Sequence, residues 1–233
     1  MVARRFKVMD KVRVDIVRIL LLGLFFVVLM GVQEGRSLAS DMDMIKADLD
    51  NGDWQVRLSA VEKLKSMNDE KSFDLLMNIA DTTVEYWPIK IQAILALGEI
   101  GNPKAIELLL KIFYNAFLNS ECPSIKSYTA IALGNFKNDD RVVNALILGI
   151  NDGETLTREA SINSLGKIGN SKAIPFLGAV TTDRSFAIRS SAIKALEKIN
   201  DPKAIPYLKK VAENDSDPEL RMDAAAAVKQ LTL

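Results

Sequence analysis

The 233-residue chain is 48% hydrophobic, enough to bury a sizeable core, and its 30 basic and 30 acidic side chains cancel. It has no histidine and a single cysteine, Cys122, which excludes an intrachain disulfide, a Cys/His zinc site, a histidine general base and a Ser-His-Asp triad. Aromatic residues make up only 6%, so the apolar content is aliphatic and favours helix-on-helix packing over a β-sandwich.

Residues 1–18 hold Arg4, Arg5, Lys7, Lys11, Arg13 and Arg18, and are followed by the uncharged run ILLLGLFFVVLMGV at 19–32. At about 1.5 Å per residue this run makes a helix of roughly 21 Å, short of a ~30 Å hydrocarbon core. That length suits the apolar region of a secretory signal, and Ser37-Leu38-Ala39 places small residues at −3 and −1 of a cleavage site after Ala39. The pattern predicts residues 1–39 as a signal peptide, with residues 40–233 released into the periplasm or secreted. Left uncleaved, the same apolar helix anchors the chain in the inner membrane, touching the bilayer only through 19–32 and leaving the repeats outside the cytoplasm. The first 39 residues carry seven Lys/Arg and three Asp/Glu, so the remaining 194 carry 23 basic and 27 acidic residues. This body lacks the electrostatic footprint of a nucleic-acid binder.

From residue 41 onward the chain repeats. Residues 41–50, with Ile45 and Leu49, read as a lone capping helix. The basic residues Arg57, Lys90, Lys126, Arg158, Arg189 and Arg221 then follow at intervals of 31 to 36 residues, the range of helical repeat arrays. Three residues after each anchor stands a small residue: Ala60, Ala93, Thr129, Ser161, Ala192 and Ala224. Seven after stands Leu64, Leu97, Leu133, Leu165, Leu196 or Val228, and ten after Met67, Ile100, Phe136, Ile168, Ile199 or Leu231. These spacings share one helical face, the core side of a helix A. Turns such as Gly101-Asn102-Pro103 and Asn200-Asp201-Pro202 follow, then a helix B carrying pairs such as Ile106/Leu109 and Ile174/Leu177. Helix pairs are expected to begin near 53, 86, 123, 155 and 185, with 217–231 as a final lone helix A. Short helix pairs cannot bury their faces alone, so the expected fold is an all-α solenoid, a right-handed superhelix of about five antiparallel helix pairs plus terminal capping helices.

The phrases VR-x-x-A-x-x-x-L (Val56, Arg57, Ala60, Leu64), LGEIGNPKAIELL from Leu97, LGKIGNSKAIPFL from Leu165 and IRSSAIKALEKINDPKAIPYL from Ile188 resemble the HEAT repeat, in particular the HEAT-like repeats of phycobilisome lyases. The resemblance covers residues 53 to 231. It implies the fold and says little about function. An Asp six residues before the Arg is a hallmark of these repeats, and Asp152/Arg158, Asp183/Arg189 and Asp215/Arg221 match it. The corresponding residues for Arg57, Lys90 and Lys126 are Asn51, Val84 and Ser120. Arg stands where a carboxylate or amide is placed and Lys where it is not, in keeping with the bidentate capacity of guanidinium. This predicts a structural Asp–Arg ladder linking neighbouring repeats in the C-terminal half, with the second and third repeats held more by apolar packing.

Three features are candidate partner-binding surfaces. The widest interval carries Phe113, Tyr114 and Phe117 beyond the ordinary end of a helix B, an aromatic patch suited to an interface. Trp54 and Trp87 occupy equivalent positions and predict an aromatic edge. Lys71, Lys104, Lys172 and Lys203 recur at the opening of helix B, and if the B helices line the concave face the row would meet an acidic partner. No cofactor or metal is expected. The whole reads as an exported, non-enzymatic scaffold of the bacterial cell envelope that binds an as yet unidentified protein. The alternatives implied by the resemblance are a chromophore-lyase-like or enzyme-assisting protein and a membrane-anchored assembly factor. A deoxyhypusine-hydroxylase-like iron site is excluded by the missing histidines.

Overall fold

A computed structural model describes residues 41–82, 85–116 and 121–232, and the chain divides into two compact units at residue 51. The segment expected to be a signal or anchor, residues 1–39, lies outside the described residues, as do Phe117 and Ser120. In the first unit residues 41–49 form a helix, α1. Among the described residues no helix is long and apolar enough to cross a membrane.

The second unit is an α-solenoid. Its A helices are α2 (Trp54–Met67), α4 (Trp87–Ile100), α6 (Pro123–Leu133), α8 (Thr155–Ile168), α10 (Phe186–Ile199) and α12 (Pro218–Leu231). Its B helices are α3 (Glu70–Asp81), α5 (Ile106–Tyr114), α7 (Asp140–Gly149), α9 (Ile174–Val180) and α11 (Ile205–Asn214). The turns start helices as their chemistry dictates. Asp69 accepts the Ser72 N–H at the head of α3, and Asn102, Asn170 and Asp201 each accept the N–H two residues on, opening α5, α9 and α11 through a short 3₁₀ turn. Four A helices end on a left-handed residue, Asn68, Gly101, Gly169 or Asn200, a conformation open to Gly and Asn at low cost.

The core follows the face read from the spacing, except that Met67, Ile100, Val228 and Leu231 are only half-buried. Ala60, Ala93, Thr129, Ser161, Ala192 and Ala224 are fully buried, as are Leu64, Leu97, Leu133 and Leu196. Against them sit Phe73, Leu76, Leu109, Val142, Leu177 and Leu208 from the B helices. Each B helix packs most extensively on the A helix that follows it (α3 on α4, α5 on α6, α7 on α8, α9 on α10, α11 on α12). The tight hairpin is therefore displaced by half a repeat from the pairs expected near 53, 86, 123, 155 and 185. The final helix, expected to stand alone, is the second half of a hairpin with α11.

Successive A helices also pack directly on each other along the whole unit, while successive B helices touch little. Small residues make this possible. A Cβ on Gly98 of α4 would stand 2.6 Å from the Ala132 Cα of α6, and one on Gly166 of α8 would stand 2.8 Å from the Ala195 Cα of α10. Within this unit the A helices are therefore the closely stacked row.

Candidate partner-binding groove

The anchor cations define the frame of the site. Arg189 donates through Nε and Nη2 to both oxygens of Asp215, at 2.8 and 3.1 Å. Arg158 reaches Asp183, Lys126 reaches Asp152 at 2.5 Å, and Arg57 reaches Glu85 at 3.2 Å. Each rung joins one repeat to the next. The six-residue spacing serves a different bond: Arg189 Nη1 donates to the Asp183 backbone carbonyl at 3.0 Å, and Arg221 Nη1 to that of Asp215 at 2.8 Å. One Asp thus gives its carboxylate to the preceding repeat and its carbonyl to its own. Its carboxylate also accepts the N–H two residues on, as Asp152 does from Glu154, Asp183 from Ser185 and Asp215 from Asp217.

Charge rungs are not confined to the C-terminal half. Lys126 takes part, and Glu85, one residue beyond the aligned Val84, serves Arg57. Lys90 is the exception. Its side chain is fully buried, and Nζ donates to the carbonyls of Ala80 and Thr82, both at 2.5 Å. Burial pulls its pKa below the ordinary lysine value, with the Asp81 charge opposing and Lys111 adding to the fall.

The three surfaces expected from the sequence do not converge. Phe113 is 1% exposed, with Tyr114 edge-on at 5.6 Å and the Lys126 ammonium 5.2 Å from its ring centre. It is a core residue, because the i+3/i+4 face of α5 turns it inward. Tyr114 is exposed, and Phe117 is outside the described residues. Trp54 packs tilted against Tyr86 with centroids 5.7 Å apart, so its described aromatic partner is the neighbour of half-buried Trp87 rather than Trp87 itself. Among the lysines, Lys104 pairs with Glu70 at 2.7 Å and Lys172 with Asp140, each an acidic residue of the preceding repeat. Lys71 and Lys203 are exposed. The row is thus an exposed charge ladder along the openings of the B helices, partly neutralised within the protein.

What the structure does bring together is a groove of about 590 Å³ across the A helices α6, α8 and α10. Its apolar wall is Tyr128, Ile131 and Leu156, which are 38%, 44% and 64% exposed. Its floor is tightened by Ser164, whose Oγ donates to the Ala130 carbonyl at 2.8 Å. Glu159 stands toward one end and Lys167 and Lys198 toward the other. Sequence reasoning passed over these residues because it followed the buried face of helix A. The signal was available two and five residues after the anchor, where Tyr128 and Ile131 put large apolar side chains on the opposite face. Among the described residues no cluster of acidic residues and cysteine could hold a metal ion.

A family model for HEAT repeats matches residues 43–116, 113–185 and 143–229. The chain belongs to the HEAT-repeat family. Among solved structures, this HEAT-repeat protein is similar to the complex of CpcE and CpcF of phycocyanin lyase from Nostoc sp. PCC7120, with 24% identity over 79% of this chain and 74% of that one and a TM-score of 0.54. It is similar also to a designed armadillo repeat protein in complex with peptide (KR)4, with 16% identity over 81% of this chain and 98% of that one and a TM-score of 0.58. At these identities the likeness is one of fold. A comparison with curated proteins finds no match.

Proposed function

We propose that this HEAT-repeat protein is a non-enzymatic scaffold that holds a segment of a partner protein in the groove formed by α6, α8 and α10. The observation that carries the reading is the apolar wall of Tyr128, Ile131 and Leu156, left uncovered on the A-helix row. The designed armadillo relative in complex with a peptide supports a peptide-like occupant. The absence of histidine from the whole sequence supports a binding rather than a catalytic role. The basic stretch, apolar run and Ser37-Leu38-Ala39 site support export to the cell envelope, either released after Ala39 or held by an uncleaved helix.

Cross-linking in cells, followed by capture of the tagged full chain and mass spectrometry, tests both halves. We expect a reproducible envelope protein whose yield drops when Ile131 is replaced by Asp, and a mature N-terminal peptide beginning at Ser40. An intact N-terminus in a cytoplasmic fraction would sink the export reading, and a partner indifferent to Ile131→Asp would sink the groove. The likeness to phycocyanin lyase favours one second reading, assistance to chromophore attachment. Visible pigment absorption in the purified protein would select it.

A further inference from the structure

Resting on the reading of the groove as a docking site, the geometry points to the chemistry of its occupant: we propose a protein segment in which an apolar side chain is flanked by carboxylates. Equivalent positions in successive A helices stand side by side. Lys167 demonstrates the register by donating from Nζ to Asn135 Oδ1 at 2.7 Å, each lying nine residues after its own anchor. Lys198 is the next residue in that row. Ser127 and Glu159 form a second row one residue after the anchors, so eight residues of helix, about 12 Å, separate the two. Tyr128 and Ile131 lie between. Measured along the helices, the groove is therefore acidic on one edge, apolar in the middle and basic on the other edge. It crosses three helices, and at about 10 Å per helix–helix spacing an extended segment of roughly six residues would bridge it.

Nine residues after their anchors α2 and α4 carry Ser66 and Glu99 rather than lysine, and the cation nearby is neutralised. On the same face of α2 and α4, Lys65 pairs with Glu99, and Glu62 accepts from Gln92. Lys167 instead meets only a neutral amide, and among the described residues neither Lys167 nor Lys198 forms an ion pair. Glu159 is partly engaged, accepting from Ser191 Oγ at 3.5 Å. With one carboxylate and two ammonium groups and no ion pair among them, the groove carries net positive charge beside its apolar wall, where an incoming carboxylate is partly shielded from water. Glu159, on the opposite edge, repels carboxylates and keeps them on the lysine edge.

The test is selection of a random dodecapeptide library on the full chain, with enriched peptides then titrated by fluorescence polarisation. The proteins compared are the native chain, Ile131→Asp and the double variant Lys167→Glu, Lys198→Glu. These side chains are exposed, so thermal melts should coincide. We expect enriched peptides to carry two or more carboxylates near an aliphatic or aromatic residue, and to lose about tenfold or more in affinity on charge reversal. Enrichment of basic or neutral peptides overturns the proposal. So does charge reversal that leaves affinity within about twofold while Ile131→Asp abolishes binding, in which case the docking groove stands and its acidic preference falls. Peptides indifferent to both variants, or no enrichment at all, overturn the groove and the preference together.

Discussion

Arg189 and Lys90 hold the same place in their repeats and settle their charge in opposite ways. Arg189 crosses to the next hairpin turn and grips both oxygens of Asp215, with the pair 13% and 5% exposed. Lys90 turns back and donates to two carbonyls at the end of α3. Asp215 lies six residues before the next anchor, whereas the corresponding residue for Lys90 is Ser120, with Glu121 one residue on. The compact ammonium on its flexible stem reaches the negative end of a helix, where carbonyls lack partners. A repeat family can thus keep a cation at one position while changing what that cation joins.

The largest effect should come from removing the buried lysine. Lys90→Ala deletes a fully buried side chain and leaves the Ala80 and Thr82 carbonyls without their donor, so it should lower unfolding free energy by about 3 kcal/mol in urea titration. Lys90→Met keeps the volume, and its shortfall relative to native isolates the two hydrogen bonds. A methionine variant equal to the native chain would show that the ammonium contributes only bulk. Titration sharpens the point. Because the folded pKa is depressed, mainly by burial, the unfolded chain binds the proton more tightly. Stability should therefore rise as pH climbs from the folded pKa toward 10.5, and this rise should vanish in Lys90→Met.

Breaking a guanidinium rung should cost somewhat less, since Arg189 keeps its bond to the Asp183 carbonyl. Asp215→Ala should lower stability by about 2 kcal/mol at neutral pH. Burial alone would push the Asp215 carboxyl up, but its bonds from Arg189 and the Asp217 N–H outweigh that and hold it below 3.8. Asp183 behaves alike, with the Ser185 N–H and Arg158 outweighing burial. The stabilisation from a depressed carboxyl is present above the unfolded pKa and is lost as pH falls through the folded value. Acid titration of stability below about pH 4 should accordingly be shallower in Asp215→Ala than in the native chain. Equal slopes would mean that the rung does not couple to folding.

Much of the fold could be read from the sequence because burial in a helix repeats with the backbone. Ala60, Leu64 and their counterparts stand at fixed offsets from one basic residue, and all of them but Val228 are buried. The hairpin boundaries were less legible. A helix B flanked by two A helices offers the same spacing to either, and only packing shows that α3 belongs with α4. The direction of each rung was hidden for the same reason: the six-residue motif brings Arg to the Asp carbonyl, and no local spacing reveals that the carboxylate serves the repeat before. The groove was missed because Tyr128, Ile131, Leu156, Lys167 and Lys198 are far apart in sequence and meet only when equivalent positions stack. Phe113 failed as a surface candidate because aromatic character marks a core face as readily as an interface.

The smallest effect belongs to the second ladder, the ion pairs at the openings of the B helices. Lys104 and Glu70 approach to 2.7 Å, as close as many stronger pairs, but their side chains are 64% and 75% exposed. Their mutual hydrogen bond raises the lysine pKa and lowers that of the glutamate. In open water that attraction is screened and is offset by the entropy of holding two long side chains together. Lys104→Ala should therefore leave the thermal midpoint unchanged within error at physiological salt, in contrast with Asp215→Ala at a rung of similar length. A measurable fall, persisting at high salt, would show that the exposed ladder also ties repeats together and that burial is not what separates the two. The outcome also bears on recognition. A ladder that adds nothing to stability leaves Lys104 and Lys172 free to exchange their partners, whereas the cations fixed beneath the repeats by Asp183 and Asp215 are committed to the fold.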